Sequence, residues 1–215
     1  MSFEKKLYEA PKAYTREVAK APEIITKEKL LKFRGVSIEV KGDVSRLVEE
    51  LHARTGASLQ MRPEGLHVTV IGPQDSKVLE TITDEDAQEL QKINEEIARG
   101  EGVQVQGIGY IDGRNTTFKM RGADLSKKVA FIALDIPRLQ KFREKIGLPK
   151  KDFHITLGFE LGDIHAQVTG QEEYKPGKFK EKREPIPKRA DPQFDDLVPL
   201  IPELKFTGLS GKSAE

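Results

Sequence analysis

Apolar residues recur along the chain with two periods. One is the two-residue period of a strand, and the other is the helical period of about 3.6 residues. The strands predicted from the first period are 36–40, 66–71, 103–110, 116–120, 129–135 and 153–161. The helices predicted from the second are 43–55, 83–99 and 137–146. The resulting order, β-α-β-α-β-β-β-α-β, predicts an α+β fold.

Turn residues set the boundaries of several of these elements. Asp43 is a candidate N-cap, Gly56 a stop after the same helix, and Pro137 suits the first turn of a later helix. Asp112-Gly113 is a hairpin signal, and Thr116–Met120 is therefore predicted as the returning strand.

One supersecondary unit occurs twice. Residues 36–72 and 129–159 each contain a strand, a helix and a second strand. This internal repeat predicts two pseudo-symmetric lobes with a central cleft.

We place the two-lobed domain at residues 34–165, between two extensions. Short surface helices are expected in the N-terminal extension, residues 1–33, because prolines interrupt its Lys/Glu/Ala-rich pattern. The C-terminal extension, residues 166–215, is rich in Pro, Lys and Glu. From about Gln171 its weak periodicity predicts an extended tail, wrapped on the surface or partly disordered.

Charge and composition limit the classes of partner and site. The chain of 215 residues has 36 Lys plus Arg against 35 Asp plus Glu, so neither duplex DNA nor a membrane is an expected partner. It contains no cysteine, which excludes disulfides, thiolate metal sites and cysteine nucleophiles. We expect a cytoplasmic monomer.

Two short segments have the same pattern of apolar-His-apolar-Thr-apolar. They are His67-Val68-Thr69-Val70 and His154-Ile155-Thr156-Leu157. Positions i and i+2 of a strand share a face, so each strand presents an imidazole and a hydroxyl on one side and buries its other side. One His-x-Thr is a weak signal, but two copies in matching half-folds are a strong one.

Two histidines and two threonines arranged in this way suit phosphodiester hydrolysis. One histidine can take a proton from water while the other gives a proton to the leaving oxygen, because imidazole titrates near neutral pH. The threonine hydroxyls can hold non-bridging phosphate oxygens. Neither a metal nor a cofactor is expected, since no third zinc ligand has a recognisable spacing. A Ser-His-Asp triad has no Gly-x-Ser-x-Gly to support it, and we assign no role to His52 or His165.

With both motifs in hand, the chain resembles the 2H phosphoesterase superfamily, which includes the 2′-5′ RNA ligase-like (LigT-like) proteins and cyclic phosphodiesterases. The resemblance covers about residues 34–161. It implies a bilobal α+β fold with antiparallel sheets lining the cleft, and opening of 2′,3′-cyclic phosphates of nucleotides or RNA ends, typically to a 2′-phosphate. By motif, His67 and His154 would be the acid–base pair, and Thr69 and Thr156 the phosphate binders.

Substrate specificity would need a stacking ring and further cations. Tyr110, Arg114 and Phe118 in the predicted hairpin, and Lys151 before the second motif, are candidate substrate-binding residues. Cyclic di- or trinucleotide signals, a non-catalytic module that binds nucleotides or RNA ends, and ligation remain open alternatives.

Overall fold

A computed structural model of the chain describes residues 25–63 and 65–211. Its strands are β1 (Val36–Lys41), β2 (Leu66–Ile71), β3 (Gln104–Asp112), β4 (Lys128–Asp135), β5 (Phe153–Glu160), β6 (Ala166–Lys175), β7 (Lys178–Pro185) and β8 (Lys205–Ser210). Its α-helices are α1 (Lys27–Leu31), α2 (Ser45–Thr55), α3 (Asp84–Ala98) and α4 (Pro137–Lys145). Short 3₁₀ segments span Pro73–Glu80, Gly122–Ser126 and Pro192–Leu200. The helices expected before residue 25 lie outside the described residues.

Six strands form one antiparallel sheet in the order β3-β4-β5-β2-β1-β8, and β6 and β7 form a separate hairpin. The α+β class with antiparallel sheets is therefore confirmed. The two repeat units, β1-α2-β2 and β4-α4-β5, occupy opposite halves of this sheet. They join where β2 pairs with β5, so the two halves share one continuous sheet.

The predicted boundaries of several elements follow their turn chemistry. Gly56 ends α2 in the left-handed conformation at φ 65°, where a side chain would be strained. The prediction of Asp43 as the N-cap of α2 is wrong, because Val44 is the N-cap. Asp43 instead accepts a hydrogen bond from the Ser45 amide at 3.0 Å, just before the helix. Thr83 caps α3 through a reciprocal capping box with Asp86.

One face of the main sheet carries the larger apolar core. The buried stripes of α2, α3 and α4 contribute Leu51, Leu90 and Phe142 to this core. From the sheet itself, Val68 and Ile155 are fully buried in it. This packing explains why the intervening positions of β2 and β5 are left for polar side chains.

The predicted strand at Thr116–Met120 is wrong. β3 pairs instead with β4, and the chain between them makes an irregular excursion that closes with the Gly113 amide on the Lys127 carbonyl at 2.9 Å. β4 is apolar on both faces and so makes the better central strand. Phe118 and Met120 still pack into a second, smaller apolar cluster, which explains their alternating pattern.

The prediction of an extended or disordered tail after Gln171 is also wrong for the part of the tail that the structure describes. β6 and β7 form a hairpin, and β8 adds an edge strand to the main sheet beside β1. The hairpin strands are exposed on nearly every residue, so no alternation of apolar and polar positions marks them in the sequence. The division of the chain at residues 33 and 165 stays a prediction.

Within the described ranges, no helix has the length and apolar character that crossing a bilayer requires.

Candidate functional site

The two motif strands are neighbours in the sheet, with Val68 paired directly opposite Ile155. In this antiparallel register His67 lies across from Thr156, and Thr69 lies across from His154. All four side chains therefore project from the face opposite to the larger core. Residues directly opposite are about 5 Å apart at Cβ, and diagonal ones such as the two histidines are about 7–8 Å apart.

These four side chains line one cavity of about 700 Å³. This volume lies within the range of about 300–1,000 Å³ that is typical of small-molecule sites. Six lysines and arginines line the cavity against three aspartates, although the whole chain is nearly balanced in charge. The lining cations are Arg62, Arg143, Lys150, Lys151, Arg183 and Lys188, and the carboxylates are Asp75, Asp152 and Asp163. The cavity is thus suited to an anion.

Asp163 is the centre of a buried polar network beside the second motif. Its carboxylate pairs with Arg62 at 2.8 Å and with Lys188 at 3.2 Å, and it accepts a hydrogen bond from Thr156 Oγ1 at 3.2 Å. Burial alone raises the pKa of Asp163, but the charges of Lys188 and His165 outweigh it and hold that pKa at about 2. The carboxylate therefore stays ionised.

His154 has a defined tautomer. Its Nδ1 lies 3.0 Å from the Asp152 carbonyl oxygen, which can only accept a hydrogen bond, so Nδ1 carries the proton. Burial, helped by the positive charge of Lys188, lowers the pKa of His154 to about 4. The ring is then neutral at pH 7, and its Nε2 holds a lone pair. Its ring also makes an edge contact with Phe131, with centroids 5.7 Å apart.

His67 contacts one member of the Asp163 network. Its Nε2 is 3.5 Å from Nη1 of Arg62, the residue that binds Asp163. Polar contacts therefore run from His67 through Arg62 to Asp163, which also accepts the hydroxyl of Thr156 in the second motif.

Arg143 supports one wall of the cavity, where the end of β2 lies beside the 149–152 loop. This side chain, 2% exposed, donates to the Pro149 carbonyl at 3.1 and 3.0 Å and also to the Val70 carbonyl. Asp75 lies 3.6 Å from the same guanidinium. Arg143 thus ties the loop before the second motif strand to the end of the first.

The structure brings only one of the four additional substrate-binding candidates to this cavity. Lys151 lines it, and burial lowers the pKa of this lysine. Tyr110 and Phe118 line a different cavity, and burial raises the pKa of Tyr110 to about 12. Arg114 is exposed and lines neither cavity. The placement of these three residues depended on the predicted hairpin, which the structure does not contain.

Sequence reasoning missed most of the other polar residues of the site, among them the members of the network around Asp163. Arg62, Asp163, His165 and Lys188 all line the cavity. Arg62 and Asp163 lie within ten residues of a motif, so a search for charged residues flanking each motif would find them. Lys188 is far from both motifs in sequence and has no local signal. His52, to which no role was assigned, makes only a structural contact, with Nδ1 2.6 Å from the Ala57 carbonyl oxygen.

Metal-ligating side chains are not gathered in the described part of the chain. No group of three or more His, Cys, Asp or Glu residues there is arranged to hold a metal ion.

A comparison with protein families matched one model to this chain. The model, described as Swiss Army Knife, 2H phosphoesterase domain, matches residues 29–165 and so contains both motif strands. Comparisons with curated proteins and with solved structures gave no match. The family match covers more than half of the chain and confirms the resemblance drawn from the two motifs. The chain belongs to the Swiss Army Knife family of 2H phosphoesterase domains.

Proposed function

We propose that this protein hydrolyses 2′,3′-cyclic phosphates of nucleotides or RNA ends to a 2′-phosphate by general acid–base catalysis that needs no metal. The observation that carries the proposal is the Val68–Ile155 pairing, because it sets both imidazole–hydroxyl pairs on one face around one cavity. The excess of cations around that cavity supports an anionic substrate.

The two histidines would play different parts. His154 is the general base, because its Nδ1 proton is committed to the Asp152 carbonyl and its neutral Nε2 can accept a proton from water. His67, diagonal to it, is then the general acid, which must be protonated before it can give its proton to the leaving ribose oxygen. The negative charge of the bound phosphodiester would favour that protonation and offset the nearby Arg62 guanidinium. The water proton moves to His154, the P–O bond to the 3′-oxygen breaks, and a 2′-phosphomonoester remains.

The threonines would hold the phosphate between the two rings. Thr69 is partly exposed at the cavity wall and can donate its hydroxyl proton to a non-bridging oxygen. Thr156 is buried and donates to Asp163, so its hydroxyl must rotate away from that carboxylate before it can donate to phosphate. Lys151 would add a positive charge to the cavity wall.

A kinetic comparison of variants tests the proposal. Wild type should open 2′,3′-cyclic nucleoside monophosphates in the presence of excess chelator. His67→Ala and His154→Ala should each lower kcat by about 100-fold or more while the fold survives. His52→Ala, outside the cavity, serves as the matched control and should retain wild-type kcat. Turnover that persists in both motif variants would overturn the assigned chemistry.

The same assay separates the alternatives. A panel that includes cyclic di- and trinucleotides and 3′,5′-cyclic nucleotides, with product analysis, identifies the ring that is opened. Tight binding of a nucleoside 2′-monophosphate without turnover of any cyclic phosphate would favour a binding module instead.

A further inference from the structure

Lys188 is a buried cation on the wall of the histidine cavity. Its side chain is 4% exposed, and its Nζ lies 3.2 Å from Asp163 Oδ1 and 5.0 Å from the centre of the Phe131 ring. A lysine is rarely buried unless its charge has a partner, because removing an ammonium from water is costly. Among the described residues Asp163 is the one hydrogen-bond partner of the Lys188 ammonium, which therefore keeps further N–H donors.

The backbone around Lys188 is fixed at two points on the cavity wall. The Ile186 amide donates to the His165 carbonyl at 3.1 Å, and the Ile186 side chain is buried in the smaller apolar cluster. The Lys188 amide donates to Asp152 Oδ2 at 3.2 Å, and the carbonyl of the same aspartate orients His154. Lys188 is thus held beside the second motif strand by contacts that do not involve its ammonium.

The charges in this part of the site do not balance. Arg62 and Lys188 share the single carboxylate of Asp163, which also accepts the Thr156 hydroxyl. These three side chains therefore carry a net charge of +1, and the Asp152 carboxylate nearby accepts the Lys188 backbone amide. In addition, the buried Nε of Arg62 has no hydrogen-bond partner in the described structure. A monoanionic phosphodiester would neutralise the remaining charge and supply acceptors for the spare donors.

We propose that Lys188 is a third phosphate-binding catalytic residue, which donates from its ammonium to a non-bridging oxygen of the substrate phosphodiester. This inference rests on the proposed function. Lys188 lies outside residues 29–165, the part of the chain that the family model matches. As water attacks phosphorus, the non-bridging oxygens gain negative charge, and a fixed ammonium beside them stabilises that state. The Lys188 proton stays on Nζ throughout, and no covalent bond forms to the protein.

Lys188 has a second effect, on the proposed base. Its charge contributes, after burial, to the lowered pKa of His154 and so keeps the ring neutral. A cation that binds phosphate and holds the base unprotonated would serve both parts of the same reaction.

Three variants test the proposal. Lys188→Met should lower kcat/KM for a 2′,3′-cyclic nucleotide by about 100-fold, the effect of removing one donor to a charged transition state. Lys188→Arg, which keeps the charge, should recover part of this loss. Lys182→Met is the matched control, because Lys182 is exposed on β7 and pairs with Glu184 at 3.1 Å. It should stay within two-fold of wild type, and a Lys188→Met variant that also does so would overturn the proposal.

A measurement on unaltered protein covers the case in which Lys188→Met fails to fold. In ¹⁵N-labelled wild type, added inorganic phosphate should shift the Nζ resonance of Lys188 and leave that of Lys182 in place. An unmoved Lys188 resonance at saturating phosphate, or no binding of phosphate at all, would overturn the role of Lys188.

The two proposals fail separately. Absence of turnover in wild type would overturn the proposed hydrolysis, and the phosphate titration would still decide whether Lys188 binds phosphate. Turnover that needs both motif histidines but not Lys188 would overturn the Lys188 assignment alone.

Discussion

Val68 and Ile155 face each other across the central strand pair, and each is the middle residue of a His-x-Thr motif. Because both side chains point into the apolar core, the flanking histidines and threonines must all point the other way. A shift of one residue in this register would bury the imidazoles and expose the valine and isoleucine. The larger core therefore fixes the geometry of the candidate site.

The two motif threonines should respond differently to replacement by valine. Thr156→Val removes a donor from the buried Asp163 carboxylate and should lower the free energy of unfolding by about 1–2 kcal/mol. Thr69→Val, at a partly exposed position, should change it by less than about 0.5 kcal/mol. Both should lower kcat/KM if both bind phosphate. Urea unfolding and initial rates check this, and equal stability of the two variants would contradict the Asp163 contact.

Catalysis should lose activity on the acid side only at unusually low pH. His154 must be neutral to act as the base, and its pKa is lowered to about 4, so kcat/KM should fall only as the pH drops toward 4. An ordinary histidine would give a limb near pH 6.5. Titration of the His154 ring by NMR identifies the group. A limb near 6.5 would contradict the assignment of His154 as base.

Protein stability should also fall with acid in a window set by His154. Its pKa is lower in the folded state than the 6.5 expected when unfolded, so the unfolded chain binds the proton first. This contribution is complete above pH 6.5 and is lost as the pH falls toward 4. His154→Gln should therefore lose less stability than wild type between pH 7.5 and 4.5 in urea unfolding. Parallel losses in the two proteins would show that His154 is not the cause.

Loss of the buried guanidinium of Arg143 should affect the fold first and activity second. Arg143→Met leaves the carbonyls of Pro149 and Val70 without this donor and Asp75 without its cation. We expect the free energy of unfolding to fall by about 3 kcal/mol. Arg143→Lys should recover little, because an ammonium cannot reproduce the spread of the guanidinium. Exposed Arg138→Met is the control, and equal melting temperatures of the two methionine variants would contradict this role.

The strands that carry the site could be predicted from the sequence, but the long-range contacts within the site could not. Apolar and polar residues alternate in 66–70 and 153–157 because the apolar residues of each segment pack into the core. Thr116–Met120 alternates for another reason, since Phe118 and Met120 pack onto a cluster without pairing in the sheet. Lys188 reaches the site through tertiary contacts of Ile186 and its own amide, and no sequence period records such contacts.

The most direct test of the central claim is a ³¹P NMR time course of a 2′,3′-cyclic nucleoside monophosphate with the protein in excess chelator. With wild type we expect the cyclic diester signal to be replaced by that of the 2′-monophosphate, and with His154→Ala we expect it to persist. A cyclic diester that stays intact with wild type, or that disappears equally fast with the variant, would contradict it.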